Sequence, residues 1–202
     1  MSQDVKEKRA KYIGKNNEIL QEYYFAHPKT RLQINSIWNS HWSGSVLWDL
    51  FGPEAEQVYG TYNQSVKIMF DIARSSSRSL IEPLTGTSHL MKVMIKRFLT
   101  FVESIKSSKK IALKNLFKVV KVDCRSVTGK NLARIMNLVG KENVDCLVPS
   151  DALDIQYHVI SEENAYKVNI IKELTDVKFG ESFVAGFSRK ELDMILKNVC
   201  TV

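Results

Sequence analysis

The chain has 202 residues, 44% of them apolar and 25% charged, with three cysteines and a net charge of +7. That is enough for one domain or two small ones with a real core, and no apolar run approaches the length of a membrane span. The charged N-terminus MSQDVKEKRAKY lacks the apolar centre of a secretory signal, and Cys124, Cys146 and Cys200 form no CxxC pair; this argues against a disulfide framework and a zinc knuckle, and the expected location is inside the cell.

Residues 3–25 read as a helix with a loose apolar stripe of Val5, Ala10, Ile13, Ile19, Leu20 and Tyr24. His27-Pro28 ends it, because proline disfavours helical geometry in the residue before it. Thr30 is a candidate cap for a helix reaching about Trp42, with Ile34, Ile37, Trp38 and Trp42 on one face. The stretch Arg31–Leu50 holds all three tryptophans, Trp38, Trp42 and Trp48, and Ser43-Gly44 breaks it in the middle. A buried Trp removes a large apolar area from water, so this stretch is expected at the centre of a core. After the break a short helix carries Val46, Leu47, Leu50 and Phe51.

Gly52-Pro53 starts a further helix to about Ile72, with Glu54 and Glu56 suited to its first turn and Val58, Tyr62, Val66, Met69 and Phe70 as its apolar face. RSSSRS at 74–79 is a polar loop or helix start, and Thr85-Gly86-Thr87-Ser88 offers a turn and a cap. Residues 88–105 carry the clearest helical period: Leu90, Met94, Phe98, Phe101 and Ile105. Ser107-Ser108 leads into a second helix over 109–123, with Leu113, Leu116, Phe117 and Val120 toward the core and Lys110, Lys114, Lys118 and Lys121 on another face. So short a link makes the two an antiparallel pair. Asn131–Val139 is a further helix, with Leu132, Ile135, Met136 and Val139 inward and Gly140 as its stop. Residues 155–160 read as a strand or an extended link, 162–176 as a helix, and 188–199 as a helix opened by the capping box Ser188-Arg-Lys-Glu191. The expected fold is all-α: an irregular bundle of about seven to nine helices, with a domain over 1–140 and a helical extension over 141–202.

The charge is concentrated. Residues 92–134 carry twelve Lys/Arg against two Asp/Glu, and the regions on either side are net acidic. Lys92, Lys96, Arg97, Lys106, Lys109, Lys110, Lys114, Lys118, Lys121, Arg125, Lys130 and Arg134 form the block. Lysines at helical spacing can reach successive phosphates, so RNA, DNA or an RNA–DNA hybrid is a candidate partner. A solvated lysine face, and an acidic protein or membrane surface, are the alternatives.

Catalytic chemistry is not apparent. Thr128-Gly129-Lys130 has the local look of a phosphate loop but lacks the upstream glycine. HExxH, GxSxG and a kinase-type glycine loop are absent, and His27, His41, His89 and His158 are dispersed. Asp49, Asp71, Asp123 and Asp145 each stand alone, so no two-metal carboxylate site is assembled. No metal and no cofactor are expected.

Several stretches, in order, resemble the region after the polymerase palm in non-LTR (LINE-type) retrotransposon reverse transcriptases. KRAKYIGKNNEILQEYYFAHP at 8–28 resembles the basic helix before the thumb. INSIWNSHWSGSVLWDLF at 34–51 resembles the family's "Y.SHYGS.LWDL" segment, and QSVKIMFDIARSSSRSLIEPLTGTSHLM at 64–91 and KRFLTFVESIKSSKK at 96–110 resemble the segments that follow it. Gly44 and Trp48 match the turn and core tryptophan of that motif, Lys67 stands near a basic position, and His89 matches the histidine before the long helix. Trp42-Ser43-Gly44 replaces the common Tyr-Gly, and the proline and histidine of the family's Leu-Pro-x-x-Thr-His-Arg loop are missing.

The resemblance implies a thumb-like, nucleic-acid-binding module in the nucleus or cytoplasm. It would lack the palm active site and be inactive as a polymerase alone, with the missing palm in trans as a further candidate partner. A chain starting close to the palm–thumb boundary is what a truncated element copy would encode. The rival expectation is an all-α scaffold that binds an acidic protein partner.

Overall fold

A computed structural model of the chain describes residues 2–38, 42–72, 74, 76, 78, 81–85, 87–123 and 125–155, and every regular element among them is helical. In order these are α1 (Ser2–Glu22), α2 (Pro28–Trp38), a 3-10 turn (Ser45–Leu47), α3 (Pro53–Met69), α4 (Ile81–Thr85), α5 (Leu90–Ser107), α6 (Ile111–Val120), α7 (Val127–Val139), a second 3-10 turn (Val144–Cys146) and α8 (Asp151–Asp154). The fold is all-α, as expected. Most of the segment expected to be extended, 155–160, and the helices expected over 162–176 and 188–199 lie outside the described residues. The chain divides into two compact units.

The first unit draws its described part from Met1–Glu7, Trp42–Tyr59 and Leu90–Tyr157. Its axis is α5, whose repeat of four and four buries Leu90, Met94 and Phe98, with Met91, Ile95, Leu99 and Val102 widening the stripe; Phe101 and Ile105, which continue the expected repeat, are half-buried. Against α5 pack the Ser45–Leu47 turn, α6 and α8. Gly44 reverses the chain before that turn at a φ of 81°, a left-handed conformation that glycine adopts without strain. Trp42 and Trp48 are both buried and meet edge to face, 6.1 Å between centroids, while the Trp48 indole N–H donates to Asp4 Oδ2 at 3.0 Å. The side chain of Trp38, the third tryptophan of the expected core, lies outside the described residues.

The segment after Trp48 has no regular structure, and several of its backbone groups are satisfied by side chains. Asn131, fully buried on α7, donates from Nδ2 to the Trp48 carbonyl (2.7 Å) and accepts at Oδ1 from the Leu50 N–H (3.1 Å). Tyr59 on α3 donates its hydroxyl to the Leu50 carbonyl at 2.9 Å. α7 begins at Val127, four residues before the expected start, because Ser126 caps it by accepting from the Gly129 N–H at 3.0 Å. It stops at Gly140, which has a φ of 68°.

α8 is tied back by Lys141, whose Nζ donates to both carboxylate oxygens of Asp151 at 2.8 Å. Burial of Asp151 opposes its charge, but the hydrogen bonds from Lys141 and from the Val148 N–H, together with the Lys141 charge, outweigh it and hold the carboxyl below its ordinary value of 3.8. A carboxyl depressed on folding adds stability that is present above its unfolded pKa and is lost as pH falls through the folded value. The stability gap between the protein and Asp151→Asn is therefore expected to be constant near neutral pH and to shrink below about pH 4. Urea unfolding at a series of pH values checks this, and a gap that widens in acid would contradict it.

The second unit draws its described part from Lys8–His41 and Gly60–His89. α1 here buries Tyr12, Asn16 and Ile19, spaced four and three apart, while Ala10, Ile13 and Tyr24 are exposed. The expected stripe was thus wrong in its middle: the inward face includes Asn16, a polar residue that an apolar pattern passes over. Tyr12 lies 6.3 Å from Tyr62, and its hydroxyl accepts from Asn35 Nδ2 at 3.3 Å. Burial pushes both phenols above their ordinary pKa, so they stay neutral donors. α2 starts at Pro28, two residues before the expected Thr30 cap, and His27 Nδ1 accepts from the Lys29 N–H. Ile37, expected on its inward face, is exposed, and Asn35 is buried instead. Of the expected core face of α3, Val66 and Met69 are buried here and Tyr62 is half-buried; the helix ends at Met69, short of the expected Ile72, and Phe70 is buried just past its end. Lys67 is also buried, its ammonium donating to the carbonyls of Arg74 and Ser76 and so holding the loop after α3. Burial, then the neighbouring Arg78 charge, lowers its pKa.

Candidate nucleic-acid interface

The link Ser107-Ser108 ends α5 and starts α6: Ser108 Oγ accepts from the Lys110 N–H at 3.2 Å, and Lys110 stands at the helix N-cap with extended backbone. Lys118 sits in the last turn of α6, where a cation meets the negative end of the helix dipole. One aromatic side chain, Phe117, anchors α6 among buried residues, with Val120 half-buried beside it. Leu113 and Leu116, expected in the core, are exposed, because Phe117 and not they turns toward the buried side of α6.

The basic block separates into two groups. Lys106 donates to the carbonyls of Val144 (2.9 Å) and Asp145 (3.4 Å). Lys121 pairs with Asp145 at 3.0 Å, and that hydrogen bond holds the Asp145 carboxyl below the usual carboxylate range. Arg134 lies 3.7 Å from Asp49 and stacks over the Phe51 ring, 5.6 Å to its centroid. These three cations are engaged with the first unit itself. Lys92 is half-buried on α5.

Lys96, Arg97, Lys109, Lys110, Lys114, Lys118, Arg125 and Lys130 are exposed, and among the described residues none of their side chains has a partner. Lys110, Lys114 and Lys118 follow one another at intervals of four, which places them along one edge of α6 over about 12 Å of helix rise. α6 contains no acidic residue. The edge is therefore a row of free ammonium groups that can meet consecutive phosphates.

The residues singled out by motif occupy structural positions. Trp42, Trp48 and Gly44 build the corner described above. His89 is buried directly before α5, with its Nε2 3.0 Å from Asn63 Nδ2; the amide nitrogen donates, so the ring nitrogen accepts. Gly129 of the loop-like Thr128-Gly129-Lys130 lies inside the first turn of α7, buried against backbone, and is closed to a phosphate. Among the described residues no three His, Cys, Asp or Glu side chains are grouped to hold a metal ion, and no helix is long and apolar enough to cross a membrane. Sequence reasoning missed Asn131 and Lys141, whose partners lie far along the chain or across a loop.

No protein-family model matches the chain, and neither a curated protein nor a solved structure matches it.

Proposed function

We propose that the chain is a nucleic-acid-binding helical module, of the kind found after the palm in LINE-type reverse transcriptases, that holds nucleic acid and does not polymerise it by itself. The observation that carries this is the lysine edge of α6: Lys110, Lys114 and Lys118 exposed in register, with no carboxylate on the same helix. Exposed lysines at that spacing contact phosphates rather than bases, so binding is tolerant of sequence and sensitive to salt. The ordered resemblance of segments between Lys8 and Lys110 supports the same reading and favours an RNA–DNA hybrid or duplex as the ligand.

Fluorescence anisotropy with a labelled RNA–DNA hybrid and with duplex DNA, titrated across salt, tests it. Affinity is expected to fall linearly with salt on logarithmic axes. Substituting glutamine at Lys110, Lys114 and Lys118 together is expected to weaken binding about tenfold or more near physiological salt and to flatten the slope by about two to three units. No binding at low salt, or a slope unchanged in the triple variant, contradicts the proposal.

A further inference from the structure

α6 exposes most of its apolar surface. Leu116 is 60% exposed, Val119 65% and Ile111 74%, and Val122 just beyond the helix 76%. At about 100° per residue, Ile111, Ala112, Leu116 and Val119 share an arc of about 140°, on the side away from Phe117, with Asn115 as the one polar residue inside it. Helix propensity does not explain that arc, because isoleucine and valine are weaker helix formers than the lysines beside them. Solubility does not explain it either.

The arc has a charged border on one edge only. Lys118 and then Lys114 follow Ile111 around the helix. A second copy of this helix has no acidic edge to meet those lysines. A lipid surface is usually met by aromatic and leucine side chains. This arc carries no aromatic residue, and Ala112, between Val119 and Leu116 around the helix, is small enough to admit a side chain of another helix. Charge complementarity thus selects a partner that is apolar on one stripe and acidic along one border.

We propose that this face of α6 docks an amphipathic helix of a protein partner, its apolar stripe seated over Ile111, Ala112, Leu116 and Val119 and its Asp or Glu border facing Lys114 and Lys118. The apolar arc lies beside the phosphate edge and Lys114 and Lys118 border both, so a docked helix and nucleic acid would compete for those two lysines, while the Leu116 and Val119 contacts belong to helix docking alone.

The probe is a pair of labelled designed helical peptides of about 18 residues, long enough to be helical on docking. Both carry leucines at i, i+3, i+4 and i+7; one has a glutamate border and its twin a lysine border. With the full chain, the glutamate peptide is expected to bind about tenfold more tightly than the lysine peptide. The double variant Leu116→Gln with Val119→Gln is expected to weaken the glutamate peptide about tenfold while circular dichroism shows an unchanged melt, because both side chains are exposed. Lys114→Glu with Lys118→Glu is expected to invert the preference. Equal affinity for the two peptides, no binding of either, or indifference to the glutamine pair overturns the proposal. So does either of two losses in the glutamine variant: of a dimer seen by sedimentation, which assigns the face to a second copy, or of binding to phosphatidylserine vesicles, which assigns it to lipid.

Discussion

Asn131→Leu is expected to destabilise the first unit by about 4 kcal/mol, far more than a helix surface position would allow. The wild-type amide serves a carbonyl and an N–H of one short irregular segment, Trp48 O and Leu50 N, from a fully buried position. Leucine has nearly the same volume, so packing is not the main loss. What is lost is a hydrogen-bond partner for two buried backbone groups, each costing about 1–3 kcal/mol when left without one. Asn131→Asp separates donor from acceptor. It keeps an oxygen for Leu50 N–H but sets an oxygen against the Trp48 carbonyl and adds a buried charge, so it is expected to be at least as damaging. Tyr59→Phe removes only the hydroxyl bond to the Leu50 carbonyl and is expected to cost about 1–2 kcal/mol. Urea unfolding followed by tryptophan fluorescence checks all three, since Trp48 lies at the affected segment. An Asn131→Leu protein as stable as the parent would show that the segment is held by something other than this amide.

How far the fold can be read from the residues depends on how each side chain is covered. α5 is legible because its buried set is apolar without interruption, from Leu90 to Val102, so the period and the core face coincide. α1 is only half legible: Asn16 replaces an apolar residue on its buried face, and exposed Ile13 imitates a core position. On α6 the apolar residues run so far around the helix that periodicity cannot say which arc is covered; only the packing of Phe117 decides it. The candidate site follows the same logic. The spacing of Lys110, Lys114 and Lys118 is visible in the chain. That Lys121, Lys106 and Arg134 are drawn off by Asp145, the Val144 carbonyl and Asp49 is not, because those partners come from elsewhere in the sequence.

Gly129→Ala separates two accounts of Thr128-Gly129-Lys130. Were these residues a phosphate loop, a methyl group at Gly129 would cost anion binding and leave stability nearly intact. By helix propensity alone it would stabilise α7 by about 1 kcal/mol. The structure demands the opposite. A Cβ at this position would stand 2.1 Å from the Asp123 carbonyl oxygen and 2.9 Å from the Val120 carbonyl oxygen. Both are backbone atoms, one in the turn that follows α6 and one in its last residue, so neither can swing aside as a flexible side chain would. The first turn of α7 must move away, and with it the Ser126 cap on the Gly129 N–H. The expected net loss is about 3 kcal/mol or more, at the upper end for overpacking. Gly140→Ala provides the scale: open space surrounds that site, and only its φ of 68° resists a side chain, so a loss of about 1 kcal/mol is expected there. If Gly129→Ala melts at or above the parent temperature, the close approach of α7 to the turn after α6 is wrong. If it melts far lower, Gly129 is what lets α7 lie against the end of the lysine helix, and any fall in nucleic-acid affinity should then track the unfolded fraction rather than the salt slope.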